Sequence, residues 1–160
     1  MTETPWLSVI VPSHNGERWL AAALQSVVDQ KDNGIEVIVI DASESEASLK
    51  IVDSFSDTLL IRARRRPDLL SWMAKTNFGV EQARGDRICM LHQDDLWMPT
   101  RSTEIRKWLS TQSDAVMHLH PCYIVDASAR RLGRWRCPLP ASASPVPAQT
   151  LIKRLLVQNL

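Results

Sequence analysis

The stretch Ile35 to Ile40 is a near-continuous apolar run that ends at Asp41. A strand with one wet face alternates apolar and polar residues; this one has no wet face. That is the signature of a parallel strand buried on both sides. Parallel neighbours need a long crossover between them, usually a helix. The flanking chain must therefore alternate strands and helices.

It does so in order. Leu7-Ser8-Val9-Ile10-Val11 reads as a strand by its β-branched content, and Pro12 stops it. Ser13-His14-Asn15-Gly16 is a turn, with Asn15 placed to cap the next helix. Trp19, Leu20, Ala23, Leu24, Val27 and Val28 make that helix's apolar stripe. Lys31-Asp32-Asn33-Gly34 ends it, with Gly34 as the stop. After Asp41, Ala42 to Glu46 is loop, Leu49, Val52 and Phe55 mark a short helix, and Leu59-Leu60-Ile61 is a third strand. The expected fold class is α/β, with a mainly parallel central sheet and helices on both faces.

Ligands on such sheets bind beyond the carboxyl ends of the strands. Ser13 to Asn15 and Asp41 lie at two of these ends. A third polar end is Leu91-His92-Gln93-Asp94-Asp95, after Ile88-Cys89-Met90-Leu91, which reads as a short buried strand. Two carboxylates about 5 Å apart repel by about 3 kcal/mol at an effective dielectric of about 20. A divalent cation reverses that sign, and oxygen ligands suit Mg²⁺ or Mn²⁺. Alone, the pair is equally a lead-in to a helix near Pro99, with one Asp as its cap; its place at a strand end favours the ligand reading. No GxGxxG and no GxxxxGK[ST] occurs at these ends, which argues against a dinucleotide or Walker-type phosphate loop.

The 160 residues suit one domain with a sizeable core, and 44% apolar with 23% charged residues excludes a disordered chain. A net charge of +1 argues against a general nucleic-acid binder. Cys89, Cys122 and Cys137 show no metal or disulfide spacing, which fits a reducing compartment, and Cys89 reads as a small core residue. Neither a signal peptide nor an apolar run of about 18 residues is seen, so a cytoplasmic location is expected.

Four stretches carry a resemblance. Ser8-Val9-Ile10-Val11-Pro12-Ser13-His14-Asn15 resembles the opening strand of the family-two, GT-A-type glycosyltransferases, and Glu36 to Asp41 resembles their second strand. Asn77-Phe78-Gly79-Val80 with Ala83-Arg84-Gly85-Asp86 is similar to the helix and turn before their metal strand, and His92-Gln93-Asp94-Asp95 to their DxD-type motif. The similarity covers roughly residues 7 to 109. It implies a nucleotide-diphospho-sugar-binding fold in which Pro12, Ser13, His14 and Asn15 line the nucleotide pocket. His14 stands where the family often has Tyr and would border the base; as a plain turn residue its imidazole would be free. Asp41 would face the base or ribose, or merely turn the chain. Asp94 would contact the ribose, and Asp95 would hold Mn²⁺ or Mg²⁺ on the diphosphate.

The implied chemistry is an inverting transfer from a nucleotide-diphosphate sugar to a hydroxyl of a glycan or lipid-linked glycan, as in cell-surface polysaccharide biosynthesis. The chain departs from the family at Ala42-Ser43-Glu44, where many relatives have Asp-Gly-Ser, and at Thr76, where an Arg is frequent. Lys75 is then either a substitute diphosphate contact or a solvated helix charge. Arg62-Ala63-Arg64-Arg65-Arg66 is either a solvated loop or a patch for phosphates or an anionic membrane, the basis for expecting peripheral membrane contact. Ile105, Trp108 and Leu109 share a helix face, and Trp97 and Trp108 read as core.

Further on, Ala115 to His120 reads as a strand with His118 and His120 on one face, a weak zinc pattern without a third ligand. Cys122 to Val125 and Leu132 to Arg136 read as a hairpin, Pro138 to Pro147 as an extended loop, and Leu151 to Leu160 as a helix. That helix's apolar face predicts self-association or a disordered tail. The expected division is a donor-binding domain over 1–137, then a Pro-rich loop and the start of a truncated acceptor-side segment over 138–160. Glu104, Asp114 and Asp126 stand in no recognisable base motif, so no catalytic residue is assigned. The alternative to a working transferase is a non-catalytic nucleotide-sugar-binding module, or an inactive fragment lacking the base.

Overall fold

The computed structural model describes residues 4–111, 117–137 and 146–158, of which 155–158 by backbone alone. The chain divides into two compact units, Met1–Glu104 and Ile105–Leu160.

In the first unit, β1 (Leu7–Ser13), β2 (Ile35–Asp41), β3 (Leu60–Arg65) and β4 (Arg87–Met90) form one parallel sheet in the order β3-β2-β1-β4. Helices α1 (Leu20–Val28), α2 (Ala47–Asp53) and α3 (Trp72–Gln82) supply the three crossovers. The path runs outward from β1 to β3, then returns past β1 to β4. Right-handed crossovers put α1 and α2 on one face and α3 on the other. In agreement, α1 packs against α2, and α3 packs on β1 and β2.

The two central strands are buried at every residue. Ile10, Ile38 and Ile40 meet Leu69, Phe78 and Ala83 on the α3 face. Gly79 allows that approach, because a Cβ there would run into Ile10 and lie 3.4 Å from Ile40 Cγ1. Val9, Val11, Val37 and Val39 alternate with those isoleucines and are sealed on the opposite face.

Burial in β2 includes Glu36, the one charged residue in the strand's apolar run. Its carboxylate accepts from Ser8 Oγ at 2.6 Å, Arg84 N at 2.6 Å, Arg84 Nε at 3.0 Å and Arg62 Nη2 at 2.9 Å. Burial pushes its pKa up, but these bonds outweigh it and hold the carboxyl below the ordinary range. Ser8 Oγ also accepts from Gly85 N at 2.9 Å. One buried carboxylate thus ties three strands to the turn that launches β4.

Several local expectations change. β4 is an edge strand, with Ile88 45% exposed, and not a buried one. Cys89 in it is half-buried. The third strand is longer than Leu59 to Ile61 and takes in the arginine run, so Arg62 to Arg65 are strand residues and not a loop. The first helix begins at Leu20, after a turn in which Trp19 N and Leu20 N donate to Gly16 O. Asn15 does not cap it; it sits in the left-handed region at φ 49°. The left-handed residue past this helix is Lys31 at φ 53°, and Gly34 leads into β2 instead.

α4 (Arg101–Thr111) carries the division between the two units. In the second unit, β5 (Cys122–Val125) and β6 (Arg131–Trp135) form the expected antiparallel hairpin. Asp126 locks its turn, accepting from Ser128 N, Arg130 N and Arg130 Nε. Residues 117–120 are not a strand. His118 and His120 instead both stack on Trp108, at 5.9 and 6.3 Å between ring centroids. α5 spans Ala148–Gln158. Ala115 and Asp114, and most of the Pro-rich stretch at 138–145, lie outside the described residues.

Candidate functional site

The carboxyl edge of the sheet gathers the polar residues. Ser13 and Asp41 face each other in the β1–β2 register. The ladder runs one step further, with Ala42 N donating to Ser13 O at 3.0 Å. Asp41 is fully buried, and its Oδ1 accepts from Ser43 Oγ at 2.6 Å. Asp41 Oδ2 and Ser13 Oγ are buried without a hydrogen-bond partner among the described residues. Buried polar atoms left in that state are costly, and two of them at one strand-end position leave hydrogen-bonding capacity open at this edge.

Ser43 does double duty, accepting from Asn15 N at 2.8 Å while donating to Asp41. His14 Nδ1 donates to Ala42 O at 3.1 Å. Its Nε2 accepts from Asn15 Nδ2 at 3.4 Å; the imidazole is therefore held at both nitrogens and not free, while the residue stays exposed. Pro12 is buried at the end of β1.

Lys75 comes from α3, whose amino end is capped by Ser71 Oγ accepting from Ala74 N at 3.0 Å. It is only 3% exposed, which overturns the solvated-charge reading. Burial pushes its pKa down and the Asp41 carboxylate opposes that shift. Its Nζ reaches Leu70 O at 3.5 Å. The nearby arginines are largely committed: Arg62 to Glu36, Arg66 to Asp68 and over Phe78, Arg65 to Glu44 O.

β4 delivers the third strand end. Leu91 N donates to Ile10 O at 3.0 Å, and Asp95 N closes a turn on His92 O at 3.0 Å. α4 starts only at Arg101, so neither Asp94 nor Asp95 caps it. Both are exposed, and neither carboxylate has a hydrogen bond or ion pair among the described residues. Partial desolvation, then the Asp94 charge, raises the Asp95 pKa, while His92 opposes them. A carboxylate held above its ordinary range beside another is one a cation relieves. Among the described residues no cluster of three or more His, Cys, Asp or Glu can hold a metal. The donor set fits Mg²⁺ or Mn²⁺, which take one or two carboxylates and complete their shell with water and phosphate oxygens.

Glycosyl transferase family 2 matches residues 8–155. The chain belongs to that family. An uncharacterized glycosyltransferase of Nostoc sp. is 25% identical over 134 residues, 79% of this chain and 39% of its own length. The family-2 chain spans about two fifths or less of the length of the first curated relatives it matches. S. aureus TarS 1–349 in complex with UDP matches 65% of this chain and 32% of its own, at 23% identity and TM-score 0.58. The mannosyltransferase PcManGT of Pyrobaculum calidifontis, in complex with GDP-Man and Mn²⁺, matches 78% and 37%, at 19% identity and TM-score 0.62. At these identities the two structures establish the fold, which is GT-A.

Three residues of the family-2 chain's rim escaped sequence reasoning. Ser43 was legible as a serine two places after a strand-end Asp, a spacing that favours local side-chain bonds. Gln93 stands in the strand-end motif and Gly16 in the first turn, but neither signals their contact, which joins positions 77 residues apart.

Proposed function

We propose that this strand-end rim binds a nucleotide-diphosphate sugar with a divalent cation and serves inverting transfer of the sugar to a hydroxyl acceptor. The observation that carries the reading is the distribution of unmet groups along one sheet edge. Among the described residues, Ser13 Oγ and Asp41 Oδ2 are buried and unpartnered at the β1–β2 end, and the Asp94–Asp95 pair lies unpartnered beyond β4. Pro12, Ser13, His14, Asn15 and Asp41 form the base and ribose side, Asp94 the ribose contact, and Asp95 the cation ligand. Lys75 is buried, and the Asp41 carboxylate favours its charged form; a direct diphosphate contact would need its amine to emerge. The UDP of TarS and the GDP-Man and Mn²⁺ of PcManGT support this reading by analogy of fold.

The cation, when bound, neutralises the diphosphate and favours departure of the nucleotide. The acceptor hydroxyl attacks the anomeric carbon opposite the leaving diphosphate while a general base takes its proton, and the bond from the anomeric carbon to the diphosphate oxygen breaks with release of the nucleoside diphosphate. Of the acids beyond the rim, Asp126 is occupied in its own turn. That favours a second reading for this stretch of chain, a donor-binding module with little turnover of its own. The division into a donor-binding part through residue 137 and an acceptor-side part beyond it belongs to the same proposal.

Calorimetric titration with UDP, GDP, CDP, ADP and dTDP, with and without Mn²⁺, tests the binding claim. At least one is expected to bind, more tightly with Mn²⁺. Failure of all five in both conditions overturns it. Sugar transfer from the matching donor to a hydroxyl acceptor separates the enzyme from the module.

A further inference from the structure

The β1–β4 ladder ends early. Its last backbone bond is Leu91 N to Ile10 O, yet β1 continues to Ser13 and the chain on to His14. Past that point a side chain replaces the missing strand. Gln93 Oε1 accepts from His14 N at 2.9 Å, and Gln93 Nε2 donates to His14 O at 3.2 Å. The side-chain amide pairs with His14 as a neighbouring peptide group would. Only one orientation of the amide satisfies both bonds, which fixes the assignment of its oxygen and nitrogen. Gly16 makes room: a Cβ there would run into the Gln93 amide and lie 3.0 Å from Ser13 Oγ.

His14 and Asn15 are anchored on the other side by Ala42 O and Ser43 Oγ. Gln93 immediately precedes Asp94 and Asp95. The Gln93 amide therefore joins the loop assigned to the base with the loop assigned to the cation, across 79 residues of sequence.

We infer that Gln93 is a positioning residue that couples the two loops, so that a nucleoside diphosphate and a divalent cation are bound cooperatively. The inference rests on the donor-site reading above. With the clamp closed, the nucleotide bound at Ser13 to Asn15 presents its diphosphate to carboxylates already in place. With the clamp open, each ligand orders only its own loop, and the mutual enhancement falls. Linkage makes the effect reciprocal: whatever factor Mn²⁺ contributes to nucleotide affinity, the nucleotide contributes to Mn²⁺ affinity.

The test uses the best-binding nucleoside diphosphate from the panel, titrated into the parent chain, Gln93→Leu, Gly16→Ala and the double variant, with and without Mn²⁺. The quantity read is the ratio of the two affinities, alongside the melting temperature. Leu keeps the volume of Gln93 without its amide. Ala at 16 keeps the amide and displaces it, since the side-chain end is what yields. Each single variant is expected to lower the Mn²⁺ enhancement by about tenfold. The double variant should be no worse than either single one, because both break one contact. An unchanged ratio in Gln93→Leu overturns the coupling role, even with a lowered melting temperature, since support of the fold alone would lower stability and leave the ratio unchanged. Additive losses in the double variant overturn the shared-contact account. If the parent binds none of the diphosphates, the donor-site reading fails and this inference with it.

Discussion

Ser13 and Asp41 are register partners at the carboxyl edge of the sheet, and each keeps one buried oxygen without a hydrogen-bond partner among the described residues. β1 and β2 are buried along their whole length, and this deficit lies where both strands end. A ligand donating to Asp41 Oδ2 removes one such cost. Asp41→Asn halves the acceptor capacity and removes the charge. Nucleoside diphosphate affinity is expected to fall roughly ten- to a hundredfold, the worth of a hydrogen bond to a charged group. Calorimetry on the variant measures it.

The same Asp41 stabilises the charge of buried Lys75. Asp41→Asn leaves that ammonium buried with less compensation and is expected to lower the melting temperature. Lys75→Met, similar in length and apolar, is expected to restore much of the loss in the Asp41→Asn background. Removing both partners of a buried pair costs less than removing one. A double-mutant cycle by thermal melting reads the coupling; strict additivity would mean the two charges do not interact.

Asp95→Asn keeps the shape of the proposed cation ligand and removes its charge. Nucleotide affinity in Mn²⁺ is expected to drop at least tenfold, with the melting temperature nearly unchanged because the side chain is exposed. Asp94→Asn is expected to cost less, and to cost the same with and without Mn²⁺, because a ribose contact depends on hydrogen bonding. A variant at position 95 that binds nucleotide and Mn²⁺ like the parent removes the metal assignment.

The raised Asp95 pKa gives Mn²⁺ binding a pH dependence. Protons compete with the cation for the carboxylate. Affinity is expected to fall as pH drops through the Asp95 pKa, and the fall should begin above the ordinary aspartate range. Asp94→Asn removes the second cause of the shift and should move the fall to lower pH. Mn²⁺ titrations monitored between about pH 4 and 7 by water-proton relaxation follow it.

Glu36 works in the opposite sense. Its pKa is lowered in the fold, so its contribution is full above the unfolded-state pKa and is lost as pH falls through the lower folded value. Acid should therefore weaken the parent chain in the range below about pH 4. Glu36→Gln is expected to cost about 1.5–3 kcal/mol at neutral pH and to flatten part of that acid dependence. Denaturant melts at pH 7 and pH 3 on both chains give the comparison.

The sequence alone determined the strand-helix alternation, the buried character of β1 and β2, and the three polar strand ends. These are periodic or local signals: β-branched runs, a turn of Ser-His-Asn-Gly, a terminal Asp. The family resemblance named the same residues, and the family match carries it. What the sequence could not determine is which neighbours complete each residue. Ile88 reads as buried from its apolar run, but strand order leaves β4 at an edge. Lys75 reads equally as a diphosphate contact or a solvated charge, but α3 crosses β1 and β2 with that residue turned inward. Asn15 reads as a cap, but Ser43 and Gln93 hold its loop in a left-handed turn. Glu36 survives in an apolar strand only because Ser8, Arg62 and Arg84 converge on it from 28, 26 and 48 residues away. Periodicity reports which side of a strand or helix is apolar. Hydrogen-bond satisfaction of a buried group depends on partners remote in the chain, and only the tertiary structure decides who they are.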